Sequence, residues 1–137
     1  MQYRKHLTAL ALGLGLSAGV SAATLSASGN MVCAASTAIG CTAGPLCIQG
    51  TAASFDLPTV FMFVDFKKKT ITGTEADGDK VVSPIRSQET TDSTLILQGI
   101  ENHRGWSMAI DRQSGEMSVS STGPHLDFIM FGACTAL

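Results

Sequence analysis

From Thr59 to the C-terminus the chain runs in short stretches of alternating apolar and polar residues, each closed by a turn signal after eight to twelve residues. A period of two sends successive side chains to opposite faces of an extended strand, whereas a helix needs a period near 3.6, which no stretch after Thr59 carries. Such punctuation predicts an all-β sandwich or barrel. The expected strands are 59–66, 69–74, 81–89, 93–101, 105–111, 116–121 and 125–132, about seven in all. Every link between them is short, so successive strands are expected to be antiparallel neighbours; parallel crossovers need a dozen residues or more. Asp77-Gly78 marks one hairpin and Asp111 with Gly115 another. Lys67, Lys68 and Lys69 read as a solvated corner that discourages edge pairing, in preference to an anion site.

Three of these strands are apolar on both faces: Phe61-Met62-Phe63-Val64, Leu95-Ile96-Leu97 and Phe128-Ile129-Met130-Phe131. A sheet with one wet side does not need this. Residues 23–58 carry Met31, Val32, Ile39, Leu46, Ile48 and Phe55, and are expected to pack on the sheet as its cover. Within them, 50–56 is the one place for a turn or two of helix. The domain reading is a leader at 1–22, a cysteine-rich segment at 23–58, and an antiparallel β domain at 59–137. The expected fold is a mainly β single domain, an antiparallel meander curled into a sheet or small barrel. In it the first strand lies beside the last, and a disulfide tethers the N-terminal segment.

The leader is read from Arg4, Lys5 and His6, the apolar run Leu7–Val20, and the small residues Val20-Ser21-Ala22. That is the layout of a secretory signal peptide, with cleavage expected after Ala22. The apolar run is shorter than the roughly 20 residues a membrane helix requires, so no membrane anchor is expected in the mature protein. A lipid-modified cysteine is disfavoured, because Asn30-Met31-Val32 before Cys33 lacks the usual lead-in. Twin arginines are missing, so the expected route is general secretion of an unfolded chain to the periplasm or the outside. The mature chain of about 115 residues keeps seven basic residues against eleven acidic, which disfavours nucleic acid and anionic membrane surfaces as partners.

Export changes the meaning of the four cysteines, Cys33, Cys41, Cys47 and Cys134. In an oxidising compartment an even number in a small domain reads first as a disulfide framework. The intervening stretches of seven, five and eighty-six residues match neither zinc pairs nor a C-x-x-C redox site. Histidine help for a metal is limited to His103 and His125, both beside turn formers, so no metal and no cofactor are expected. Three connectivities are open. The Gly44-Pro45 turn favours Cys41 with Cys47, leaving Cys33 with Cys134.

Signals for catalysis are weak. A Gly-x-Ser-x-Gly elbow is missing, and no carboxylate pattern around the two histidines singles out a triad, so no catalytic residue is assigned. Ser87, Ser107 and Ser118 read as outward strand positions. Asp65 and Asp111 are the acids to consider for glycoside chemistry, although strand ends more often hold acids as turn caps. Asp77-Gly78-Asp79 lacks the oxygen ladder of a calcium loop. Trp106, the sole tryptophan, reads as core first and as a pocket wall second. His103 and Arg104 are placed at the tip of the 101–105 turn as candidate contacts.

The order Cys33-Ala34, Cys41, Cys47, FMFVDFKKKTITG (61–73), SPI (83–85), LILQGIEN (95–102), GWSMAIDRQSG (105–115) and FGACT (131–135) resembles a group of small exported proteins of Gram-negative bacteria. The resemblance implies an envelope compartment and a shared four-cysteine framework with a C-terminal FGAC motif, and carries over no activity, cofactor or site. The expected function is a non-enzymatic binding or accessory module of the cell envelope. Its partner is expected to be a small apolar ligand, which needs an open interior, or an envelope protein, which needs an exposed apolar patch. The alternatives are an inhibitor of an envelope hydrolase, presenting 101–105, and a small hydrolase using carboxylates.

Overall fold

Seven strands in a meander leave two unpaired edges, and the structure shows what pairs them. The computed structural model describes residues 24–57, 61–74 and 77–137. The leader and its cleavage site lie outside the described residues, as do 58–60 and 75–76. The described residues hold nine strands, β1 (Met31–Thr42), β2 (Cys47–Gly50), β3 (Phe61–Asp65), β4 (Thr70–Thr74), β5 (Lys80–Thr90), β6 (Thr94–Glu101), β7 (Arg104–Asp111), β8 (Glu116–Thr122) and β9 (Leu126–Ala136). β3 to β9 are the seven strands read from the alternation, each antiparallel to the next. The short helical stretch is a single 3-10 turn, Ala53–Phe55.

The N-terminal segment is where the expectation needs correction. It does not lie across the outer face of the terminal strands, and those strands are not neighbours; β1 stands between them in the wall. Its first half pairs with β3, Met31 opposite Val64 and Ala34 opposite Phe61. Its whole length pairs with β9, from Met31 opposite Ala136 to Thr42 opposite Leu126. Eight strands thereby close into a barrel, with β2 added beside the second half of β1. Closure satisfies the backbone groups that both edges of the meander would leave open, which a cover on one face could not do.

Two bulges bend the wall. The β1 and β9 registers slip at Ser36, between Ala35 and Thr37, and the β5 and β6 registers slip at Arg86, between Ile85 and Ser87. An extra residue on one strand increases local twist, which an eight-stranded barrel requires. Both disulfides take the favoured pairing. Cys33 bonds Cys134 inside the barrel across the β1–β9 seam, and Cys41 bonds Cys47 on the outside, across β1 and β2.

Inside, one half of the barrel is packed solid. Met31, Val64, Leu95, Leu97 and Ile110 are fully buried there, with the Cys33–Cys134 bridge among them. Leu25 plugs this end. Its N–H donates to the Arg112 carbonyl at 2.7 Å, and Arg112 Nε donates back to the Leu25 carbonyl at 3.0 Å. Outside, the β5–β8 wall is mixed: Arg86, Gln98, Ser107, Ser118 and Ser120 stand on it together with the exposed Val82 and Ile100. The second faces of two doubly apolar strands stay in solvent: Phe61 and Phe63 on β3, and Ile129 and Phe131 on β9, are 37–65% exposed.

Candidate functional site

The other half of the barrel is not filled. β3, β5, β7 and β9 begin at this end and β4, β6 and β8 finish there, so their inward side chains diverge around a cavity of about 240 Å³. Met62, Ile71, Met108, Val119 and Met130 form its walls. All five methionines beyond Met1 point inward. Three of them reach this cavity, and their flexible thioether chains suit a wall that must adapt to an occupant.

Trp106 stands on one side of the cavity, half-buried and packed against the core. Gly99, its partner across β6 and β7, has no side chain, so the indole passes over the β6 backbone. The indole Nε1 donates to Ser83 Oγ at 2.8 Å. This bond satisfies the ring nitrogen and the buried hydroxyl together, as burial requires. Trp106 therefore joins the core and the pocket, two roles that the alternation treats as rivals. Ser83 went unnoticed in the sequence, because nothing local distinguishes an inward serine from the outward Ser107 and Ser118.

Residues 51–57 cover part of the mouth. Phe55 meets Phe128 edge to face, with ring centroids 5.7 Å apart, and seats over Gly40. Leu57 reaches the cavity itself. Neither Leu57 nor Phe128 stood out in the sequence as a wall residue; the doubly apolar run around Phe128 was the one available signal.

The rim is polar. Asn102 and His103 both take positive φ, 47° and 62°, in a two-residue turn that joins β6 to β7. Such a turn is tight and does not project. His103 is exposed at its tip and is not part of the cavity lining. Arg104, placed at that tip by the sequence reading, instead turns inward. Its Nε donates to Ser121 Oγ at 3.1 Å, and its Nη2 donates to the carbonyls of Ser121, at 2.9 Å, and of Leu126. The guanidinium carbon lies 5.3 Å from the centroid of the Phe128 ring.

The candidate acids sit elsewhere. Asp65 and Asp111 end β3 and β7 at the packed end and outside the lining. Asp65 accepts from Lys68 N–H at 2.8 Å and pairs with Lys68 Nζ at 3.6 Å. Asp111 accepts from the backbone N–H groups of Ser114, at 2.7 Å, and Gln113, at 2.9 Å. Those bonds, with that to the Ser114 hydroxyl, hold the Asp111 carboxyl below the usual aspartate range. Both are turn caps. Among the described residues no three histidine, cysteine or acidic side chains come together as a metal site.

Compared with protein-family models, with curated proteins and with solved structures, the chain matches none.

Proposed function

We propose that the protein is an exported, non-enzymatic binding module of the cell envelope that holds one small, mainly apolar molecule in the half-empty barrel. The observation that carries this reading is the cavity itself: apolar walls, a few convergent polar groups at one rim, and a rigid disulfide-stapled shell. Its volume falls just under the roughly 300–1,000 Å³ of drug-sized ligand sites, which points to a small occupant. The two acids considered for hydrolysis are bound up in turns away from the cavity, which weakens the enzyme reading. A second reading, attachment to another envelope protein, is favoured by the exposed Phe61, Phe63, Ile129 and Phe131 on the outer face of β3 and β9.

One titration separates the two. A neutral apolar dye, N-phenylnaphthylamine, is added to the mature protein while Trp106 fluorescence is followed. The expected result is saturable quenching that is lost in Val119→Phe, which fills the cavity, and kept in the double variant Phe61→Ser with Phe131→Ser. Quenching that survives Val119→Phe but disappears in the outer-face variant would overturn the ligand reading.

A further inference from the structure

We infer that the occupant is an amphiphile with an anionic head, its tail lying between Met62, Met108 and Trp106 and its head at the rim against Arg104. The inference rests on the binding reading and concerns the same cavity. Arg104 begins β7 directly across from Glu101 at the end of β6. Its side chain reaches toward β8 and β9, where every acceptor it bonds is neutral: the Ser121 hydroxyl and carbonyl, and the Leu126 carbonyl; Glu101 also lines the cavity. The ion pair between Lys68 and Asp65 is the only one among the described residues, so neither Glu101 nor any other carboxylate among them is in direct ion-pair contact with Arg104. A guanidinium at the polar rim of an apolar cavity, bonded only to neutral groups, attracts an anion more strongly than it would in open water.

The group is also held ready. Three hydrogen bonds and the Phe128 ring fix its plane, so a ligand does not have to order it. Those bonds use Nε and Nη2, and leave the two Nη1 hydrogens without a bond to the described residues. Nη1 faces the backbone of Gly123, where even a Cβ would come within 2.6 Å. Only a residue without a side chain fits so close to the guanidinium, which itself lines the cavity, so the charged head can stay at the rim while the tail enters. With Nε and Nη2 committed, an oxyacid head is held by a charge-assisted bond from Nη1.

The experiment compares octanoate, octanol and octylammonium as competitors of the dye, using the disulfide-intact mature protein and its Arg104→Gln and Arg104→Lys variants. The expected order in the parent is octanoate, octanol, octylammonium, with octanoate ahead of octanol by about tenfold or more, the size of one charge-assisted hydrogen bond. Arg104→Gln should level octanoate with octanol, and Arg104→Lys should keep part of the difference. The parent series stands without the variants if Arg104→Gln does not fold. Octanol binding as well as or better than octanoate in the parent overturns the anionic head and leaves the binding reading intact, as does a folded Arg104→Gln that keeps the preference. If none of the three binds and the dye does not bind, both readings fall.

Discussion

Gly99 lies directly beneath the indole of Trp106. A Cβ on Gly99 would come within 2.6 Å of Trp106 Cε2 and 2.5 Å of the Pro84 carbonyl oxygen, so the ring crosses the wall where one residue has no side chain. Gly99→Ala should displace the indole, break its bond to Ser83 and cost about 1–3 kcal/mol, the range for overpacking a core. Urea unfolding followed by tryptophan emission measures both effects. Gly105→Ala is the control, because the nearest atom to its Cβ would be 3.7 Å away. Equal stability of the two variants would contradict the close approach.

The two disulfides should differ in weight. Cys33 and Cys134 are 101 positions apart and close the barrel seam, while Cys41 and Cys47 are 6 apart and hold the short β2. In the chain-entropy account the long loop contributes roughly 4.7 kcal/mol and the short one roughly 2.4. Replacing both Cys33 and Cys134 by alanine should lower the denaturant midpoint about twice as far as replacing Cys41 and Cys47. A larger loss from the outer pair would show that β2 and the 51–57 cover, rather than the seam, limit stability.

Asp111 should give the protein a specific weakness in acid. Its carboxyl titrates below the ordinary value because Ser114 and Gln113 donate to its charged form. The folded pKa is thus lower than the unfolded value of about 3.9. The stabilisation it supplies is complete above the unfolded value and disappears as the pH falls through the folded one. Asp111→Asn should be less stable than the parent near neutrality, with the gap closing as the solution is acidified below about pH 4. Parallel curves for parent and variant would remove Asp111 from the account.

The seven strands of the meander were legible because each is a local property. Trp106, Met108 and Ile110 alternate with Ser107, Ala109 and Asp111 whatever lies around them. The disulfide pairing was half legible, through the Gly44-Pro45 turn. β1 was not legible. Its many Ala, Ser and Gly residues have little β-propensity, and the extra residue Ser36 switches the inward set from Met31, Cys33 and Ala35 to Ala38 and Gly40. Of the candidate contacts, the sequence placed His103 and Arg104 at one turn and Trp106 in the strand after it, and the structure brings only Trp106 and Arg104 to the cavity.

The sequence by itself determined the strand content, the order of the meander and the residues able to be buried, since alternation, turn chemistry and apolar content are carried by neighbours in the chain. Tertiary structure decided three things. It set which face of the doubly apolar strands turns inward, Met62 and Met130 rather than Phe63 and Phe131. It made β1 the strand that closes the barrel, and it left one end packed and the other hollow. Each of these depends on pairings between distant residues, such as Met31 with Ala136. Their benefit, two satisfied edges and a closed interior, exists only once the ring is complete.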